Sequence, residues 1–159
     1  MRPWKIIEPT KYKTGTDLIH HLKKNNVNIS PWIENVFKKN KNNIKITKNR
    51  VHLFRIKVKN LGFSKPTELK NIYKMIKQKG YKLVTPDLAL RTRLEYKEQK
   101  TGEWLRFATS FKDLVDSDGV PHLPKLGKAL GILFIETYWS YPKAIFHPHN
   151  EFVVMKNDI

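Results

Sequence analysis

The sequence predicts an α+β fold, in which basic helices and a β-hairpin in the first half pack on a roughly five-stranded antiparallel meander in the second half. Two observations lead to this prediction. The first half contains three apolar patterns with the period of a helix, and the second half contains several short segments in which apolar and polar residues alternate. Sequential strands joined by short turns favour an antiparallel sheet. We expect residues 1–81 to form the basic helical and hairpin part, and residues 82–159 the antiparallel β part, of one compact unit.

The composition is that of a chain with a substantial core and no thiol chemistry. At 159 residues, of which 40% are hydrophobic, the chain is long enough for one compact domain. The absence of cysteine excludes disulfides, thiolate zinc sites and thiol nucleophiles. The longest apolar run, around residues 130–135, is far shorter than the ~20 residues of a membrane span. Because no leader pattern opens the chain, we expect a cytoplasmic protein with no membrane partner. We also expect no cofactor, because the sequence contains no glycine-rich phosphate loop, GxSxG elbow or HExxH helix.

Three helices are predicted in the first half. The first is expected over about residues 17–25, with Thr14 or Thr16 as its cap. The second starts at Ser30-Pro31, where a capping hydroxyl precedes a proline at the first helical position. The third is expected between Thr67, as its cap, and Gly80, which ends it in the left-handed conformation. Lysines lie opposite the apolar stripe of this third helix.

A β-hairpin is predicted between the second and third helices. Residues 44–47 and 51–59 alternate in polarity, and a turn at 48–50 separates them. In the longer strand, successive side chains point to opposite faces. One face would hold His52, Phe54, Ile56 and Val58, and the other Arg55, Lys57 and Lys59. The prediction is a hairpin with one apolar face and one cationic face.

The second half shows the alternation that is typical of strands. Strands are expected over residues 90–96 and 104–109, around 122–126 and 131–138, and over 151–156. Any linker between the two halves is expected within residues 82–88.

Positive charge is concentrated in the first half. Residues 1–80 contain 20 of the 31 basic residues but only 4 of the 14 acidic residues, and no acidic residue lies between Glu34 and Glu68. A general bias of the composition towards Lys and Asn would also raise the number of Glu residues. It would affect the second half of the chain as much as the first. A field of one sign favours an anionic partner. We therefore predict nucleic-acid binding through Lys45, Arg50, Arg55, Lys57, Lys59, Lys70, Lys74 and Lys77.

Lysine dominates over arginine in this predicted patch. Lysine contacts phosphates as a point charge, whereas bidentate reading of guanine usually falls to arginine. We expect binding directed mainly at the phosphate backbone, with weak sequence specificity. If residues 90–96 form a strand, Trp104 and Arg106 face the same way as Arg91 and Arg93, and Trp104 offers a stacking position for an unpaired base. The same face is equally compatible with packing against the first half.

A set of turn and strand patterns extends over most of the chain. The segments are LRTRLEYKEQKTGEWLRFAT with DSDGVPH, GILFIETYW before EFVVMK, and, in the first half, YKTGTDLIHHL and VKNLGF. With these segments the sequence resembles a small family of bacterial proteins of about this length. That family has no established activity, so the resemblance implies a shared fold and no residue roles.

Two catalytic patterns give alternative functions. The sequence contains the PD…ExK pattern of a nuclease superfamily, at Asp87, Glu95 and Lys97. In that pattern, carboxylates hold a divalent cation and a lysine lies near the attacked phosphate. The spacing is short for the two strands that usually hold these groups, and short patterns recur by chance. Metal-free RNA cleavage needs a histidine and a cation, and His52 and His122 are candidates by residue type. The alternatives are a small toxin-like ribonuclease or nuclease, and a basic module that docks an acidic protein partner.

No metal site is predicted. His147 and His149 lie near Glu151, but a zinc site needs a third or fourth ligand, and a polar structural loop explains the pattern better. Residues 116–119 begin like a calcium loop but lack its downstream ligands, so an ordinary Asp-Gly turn is expected.

Overall fold

A computed structural model describes residues 1–42 and 44–157, and in this part of the chain the fold is α+β. Its helices are α1 (Gly15–Lys24), α2 (Pro31–Lys39), α3 (Leu69–Gln78) and α4 (Pro86–Glu95). Its strands are β1 (Lys5–Ile7), β2 (Asn28–Ile29), β3 (Val51–Lys57), β4 (Thr67–Glu68), β5 (Trp104–Phe107), β6 (His122–Ala129), β7 (Ile132–Trp139), β8 (Ile145–Phe146) and β9 (Glu151–Asn157). A short 3₁₀ turn, Val58–Leu61, follows β3. The last two residues of the predicted β part, 158 and 159, lie outside the described residues.

Seven strands form one mixed sheet, and strands of the first half lie at both of its ends. Their order across the sheet is β1-β3-β9-β5-β6-β7-β2. Neighbours run antiparallel except at two places, where β9 pairs with β5 and β7 pairs with β2 in parallel. A separate antiparallel pair is formed by β4 and β8. The predicted five-stranded antiparallel meander is therefore wrong, because the chain inserts β9 between β3 and β5.

The first two helices begin where the sequence predicts. The Thr14 hydroxyl accepts a hydrogen bond from the backbone N–H of Asp17 at 3.1 Å, and the Ser30 hydroxyl accepts one from Ile33 at 3.2 Å. Pro31 occupies the first turn of α2, where its missing N–H costs nothing. In the part of the chain that the structure describes, no helix is long and apolar enough to cross a membrane.

The third helix, α3, has the predicted apolar stripe but a different start. Its apolar side chains are buried, and Gly80, with a φ of 88°, follows the last turn in the left-handed conformation. The predicted cap Thr67 is wrong, because this residue pairs with Phe146 in the β4–β8 pair. Glu68 precedes the helix without a side-chain capping bond.

Helices cover the two faces of the sheet unequally. Leu53 of β3 and Val153 of β9 belong to the core that α1, α2 and α4 bury, and we call this side the three-helix face. The adjacent residues Phe54 and Val154 belong to a second core under α3, and we call this side the α3 face. Alternate residues of the central strands thus serve different cores, so the middle of the sheet is buried on both sides.

The predicted hairpin over residues 44–59 is wrong. Residues 44–47 form no strand, and β3 pairs instead with β1 and β9. Leu53 is 0% exposed and Phe54 is 4% exposed, so both faces of this interior strand are covered. Apolar and polar residues do alternate along this segment, but the alternation does not show whether one face of the strand or both faces are buried. On the expected cationic face, Leu53 is buried and Arg55 is partly buried, whereas Lys57 at the end of the strand is exposed.

Residues 86–95 form α4, where the sequence predicts the end of a linker and then a strand over 90–96. Pro86 stands in the first turn, and every residue from there to Arg93 is buried. A helix that is buried on all sides does not show the apolar stripe, with a period of 3.6 residues, by which a surface helix is recognised. The alternation of apolar and polar residues that is present in this segment is typical of a strand. Residues 82–88 are no linker either, since Lys82 and Val84 form β-bridges to residues of the second half.

The later strands lie close to their predicted positions. β6 and β7 form an antiparallel hairpin. Leu130 and Gly131 connect them with φ values of 51° and 74°, the left-handed conformation of a tight two-residue turn. β5 and β9 are also confirmed, although their order in the sheet differs from the predicted meander.

Candidate nucleic-acid interface

α3 presents a row of lysines along its exposed side. Burial of the apolar stripe leaves Lys70, Lys74 and Lys77 exposed on neighbouring turns. Lys112, in the loop after β5, faces the same cleft of about 430 Å³. We call this space the lysine cleft, and its lining consists of Lys70, Tyr73, Lys74, Lys77, Leu83, Ser110, Phe111 and Lys112.

Aromatic packing makes the floor of the lysine cleft rigid. The buried Tyr73 hydroxyl donates a hydrogen bond to the backbone oxygen of Thr109 at 2.8 Å. Burial raises the pKa of Tyr73 above its usual value, so the hydroxyl keeps the proton that it donates. Phe111 stacks on the Tyr73 ring with a centroid separation of 5.0 Å. The loop that carries Lys112 is thereby fixed against α3.

Carboxylates do little to neutralise this cleft. Among the described residues, no acidic side chain lines it. Lys70 forms an exposed ion pair with Glu68 at 3.3 Å, and such surface pairs contribute little. The charge of Asp113 lies close enough to add to the effect of burial in raising the pKa of Tyr73. The four lysines of the cleft therefore outnumber the neighbouring carboxylates, which are Glu68 and Asp113.

The predicted basic patch is divided in the structure. Lys45 is exposed in a separate groove that it shares with Lys11, Lys13 and Lys48. Ile44, which lines that groove, belongs to the core of the three-helix face. Lys45 is therefore on the opposite side of the sheet from α3.

Lys57 and Lys59 are exposed at the end of β3 and in the 3₁₀ turn that follows. The backbone N–H of Lys59 is bonded to the oxygen of Pro148 at 2.9 Å, which fixes the turn but leaves its ammonium in solvent. These two lysines remain compatible with a phosphate contact.

Two arginines of the predicted patch have carboxylate partners within the chain. Arg50 pairs with Glu8 at 3.0 Å. Arg55 contacts both carboxylate oxygens of Glu151, at 2.7 and 2.8 Å, and Glu103 at 3.3 Å. Burial alone would lower the pKa of Arg55, but the hydrogen bonds and attraction of Glu151 outweigh it, so the pKa lies above its usual value. Arg55 is a structural cation in this geometry.

Arg91 and Arg93 are buried within the three-helix face, because they lie on α4 and not on a strand. Arg91 is 3% exposed, and its guanidinium bonds the backbone oxygens of Thr47 and Glu8 and pairs with Asp87 at 3.4 Å. Arg93 is 0% exposed. Its guanidinium donates to Gln99 at 2.6 Å and to the backbone oxygens of Gly127, Phe134 and Tyr96. Neither arginine is accessible to a ligand.

Trp104 and Arg106 do share one face of β5, the α3 face. Across the sheet, Trp104 pairs in register with Gly127, and Arg106 pairs with Lys125. The Trp104 ring lies over Gly127, where a Cβ atom would come within 2.2 Å of it. The predicted neighbourhood of Trp104 and Arg106 therefore exists, but its other members come from β6 and β7.

The residues of the PD…ExK pattern do not converge. Asp87 is 0% exposed and accepts hydrogen bonds from the backbone N–H and the hydroxyl of Thr47, at 2.9 and 3.0 Å. Glu95 lies eight residues further along α4, about 12 Å along the helix axis. Lys97 is exposed beyond the helix end. Among the described residues, no group of three His, Cys, Asp or Glu side chains is placed to hold a metal ion.

The two candidate histidines are far apart and face opposite sides of the sheet. His52 lies on β3 and His122 on β6, and two strands separate these, a spacing of about 14 Å. His122 is 1% exposed, and its Nε2 lies 2.7 Å from an Asp116 carboxylate oxygen. Its Nδ1 is buried and lacks a hydrogen-bond partner. The contact closes the turn at residues 116–122, and the His122 ring lines a cleft of about 240 Å³ together with Trp32, Lys39 and Asp116.

Comparison of the chain with protein-family models, with curated proteins and with solved structures finds no match. We therefore infer the function from the geometry of the described residues. Sequence reasoning missed Lys112, Lys125 and Tyr138 as members of candidate surfaces. Strand alternation gives the face of Tyr138, but no local pattern gives the sheet register that places it near Arg106.

Proposed function

We propose that the protein binds nucleic acid, chiefly through its phosphate backbone, with the lysine cleft as the principal contact. The observation that supports this most strongly is the placement of four lysines around one cleft whose described lining residues include no carboxylate. Lysines that surround a shared space repel each other, and a polyanion in that space relieves the repulsion.

The dimensions of the cleft fit a short run of phosphates. From Lys70 to Lys77, α3 rises by about 10 Å, at 1.5 Å per residue. In a B-form duplex, each strand carries one phosphate per about 3.4 Å of helix axis. The lysine row thus spans about three such steps, and Lys112 adds a contact from the other side of the cleft.

The residue types favour backbone contacts over base reading. All four cations of the cleft are lysines. Their flexible ammonium groups carry charge but lack the planar, paired donors of an arginine guanidinium. Sequence is read by paired hydrogen bonds to base edges, to which arginine is best suited. We therefore expect affinities that differ little among oligonucleotides of equal length and unrelated sequence.

The test compares two double variants that remove the same charge. Lys74→Gln with Lys77→Gln changes the cleft, and Lys24→Gln with Lys38→Gln changes exposed helix positions on the other side of the sheet. Binding of a fluorescein-labelled oligonucleotide is measured by anisotropy at several salt concentrations. We expect the cleft variant to lose affinity and to reduce the salt slope by about 1.4, at about 0.7 per lost phosphate contact to a single strand. Equal losses in both variants would show that net charge alone attracts the oligonucleotide.

A further inference from the structure

Part of the α3 face is open to solvent. Towards β7, Ile132 is 43% exposed and Tyr138 is 37% exposed. Register pairing places Arg106, Lys125 and Glu136 in one row across β5, β6 and β7. We call this surface the open sheet face, and its members are Trp104, Arg106, Lys125, Phe134, Glu136 and Tyr138.

Cations and aromatic rings alternate on the open sheet face. The Lys125 ammonium lies 4.6 Å from the centre of the Trp104 ring and 5.3 Å from that of Tyr138. The Arg106 guanidinium lies 5.3 Å from the Tyr138 ring and 5.8 Å from Phe146. Cation–π contacts hold these charges close to the sheet. Flat aromatic surfaces and fixed positive charges are therefore next to one another.

Arg106 lacks the acceptors that other partly or fully buried arginines have. Within the described residues its guanidinium donates no hydrogen bond to protein. Its Nε is buried without a partner, as is that of Arg93, but the terminal nitrogens of Arg93 have acceptors. The carboxylate nearest to Lys125 is that of Glu136, at a long 3.9 Å. Burial lowers the pKa of both cations, which reports that each is partly desolvated without full compensation. An anion bound at this face would accept hydrogen bonds from the terminal guanidinium nitrogens of Arg106, which have no acceptor among the described residues.

We propose that the open sheet face binds an unpaired segment of a nucleic-acid strand, with phosphates at Arg106 and Lys125 and bases against Trp104 and Tyr138. This inference rests on the proposed function and names its substrate class. Aromatic side chains stack on the faces of unpaired bases. In a duplex these faces are covered by neighbouring base pairs, and only the edges of the bases are accessible in the grooves. A ligand that alternates flat rings with negative charges matches the alternation of this face.

The open sheet face is also continuous with the lysine cleft. The backbone N–H of Lys70, at the start of α3, donates to the oxygen of Pro142 at 2.9 Å, and that of Leu69 donates to Ala144 at 2.8 Å. The same segment reaches Phe146, whose ring lies 5.4 Å from Tyr138. Its exposed Lys143 carries a further positive charge between the two surfaces. One strand can therefore contact both.

The test measures binding of a labelled single strand of about 12 nucleotides and of the duplex of the same sequence. The variants are Arg106→Gln and Tyr138→Leu, and the control is Trp139→Leu, an exposed aromatic residue on the opposite side of β7. We expect the wild type to prefer the single strand. Each of the two variants should weaken single-strand binding about 10-fold and leave duplex binding unchanged. The control should change neither.

A gain of affinity provides a check that misfolding cannot imitate. Glu136→Gln removes the acidic side chain of the row, so single-strand binding should tighten about two- to five-fold. Equal binding of single strand and duplex, or variants that weaken both equally, would overturn the inference while the lysine cleft retained its function. Displacement of the single strand by poly-glutamate at equal phosphate and carboxylate concentration would overturn it in favour of an acidic protein. Absence of binding to either nucleic acid would overturn the proposed function as well.

Discussion

The arginines on the two faces of the sheet have opposite surroundings. On the three-helix face, Arg93 has four acceptors, Arg55 has the carboxylates of Glu151 and Glu103, and Arg91 has Asp87 and two backbone oxygens. On the α3 face, Arg106 has aromatic neighbours but no acceptor among the described residues. Desolvating a charge is costly unless hydrogen bonds compensate for it. The acceptors of Arg55, Arg91 and Arg93 belong to the folded chain, so these arginines contribute to the fold. Arg106 has no such acceptor among the described residues, and a bound ligand can provide one.

The lysines show this division only in part. Lys112 and the lysines of α3 surround a cleft whose described lining residues include no carboxylate, and the groove of Lys11, Lys13, Lys45 and Lys48 on the three-helix side is lined in the same way. On that same side, Lys23 pairs with Glu34 at 2.7 Å, and Lys39 donates to the backbone oxygen of Asp116 at 2.6 Å. The comparison separates cations that complete the fold from cations that remain for a partner.

The largest effect is expected from Arg93→Ala. This change leaves four buried acceptors without their donor, and loss of one member of a buried charged network costs about 3–5 kcal/mol. Urea denaturation should show this loss in the free energy of unfolding. A loss below about 1 kcal/mol would mean that water replaces the guanidinium, and the proposed distinction between the faces would weaken.

A smaller loss is expected from Arg55→Gln. Its bonds to Glu151 and Glu103 are partly buried, and hydrogen bonds between charged groups contribute about 2 kcal/mol. The matched control is Lys57→Gln, two residues along the same strand and exposed, for which the change should stay within about 0.5 kcal/mol. Denaturation midpoints of both variants measure the contrast, and equal losses would contradict it.

The turn beside α2 predicts an effect of pH. Hydrogen bonds from the His122 ring and from the backbone N–H groups of Val120 and Asp118 lower the pKa of Asp116. A carboxyl whose pKa is lowered by folding stabilises above its unfolded value of about 3.9, and this stabilisation is lost as pH falls through the lowered value. The stability difference between the wild type and Asp116→Asn should shrink as pH falls below about 4. Thermal denaturation across this range measures it, and a difference independent of pH would contradict the assignment.

The smallest effect on stability is expected from Arg106→Gln. No acceptor loses a partner, and the contacts with Tyr138 and Phe146 contribute about 1 kcal/mol or less. Urea denaturation should therefore place this variant close to the wild type. A loss as large as that of Arg93→Ala would show that Arg106 is a structural residue, and the case for a ligand there would fail.

The sequence predicted those features that depend on local chemistry. The sequence identified the caps Thr14 and Ser30, because each hydroxyl accepts a hydrogen bond from a backbone N–H of the first helical turn. It also identified Gly80 as the end of α3, because glycine adopts the left-handed conformation readily. The shared face of Trp104 and Arg106 followed from strand alternation. α4 was mistaken for a strand because its nearly complete burial erases the helical period.

Features that depend on tertiary register were not predictable. Lys125 and Tyr138 join Arg106 only through the pairing of β5, β6 and β7, which no local pattern specifies. The exposure of Arg55 was misjudged for a similar reason. Its partners Glu103 and Glu151 are distant in sequence and meet it only in the folded sheet.

The most direct test of nucleic-acid binding is the salt dependence of the wild-type protein. Dissociation constants for a labelled single strand of about 12 nucleotides are measured by anisotropy between 50 and 200 mM salt. Four lysines that neutralise phosphates predict a slope of about −2.8 in log K against log salt concentration, a loss of affinity of about 50-fold over this range. Contacts at Arg106 and Lys125 would steepen the slope. A change of less than about 3-fold, or no binding at 50 mM salt, would contradict the proposed function.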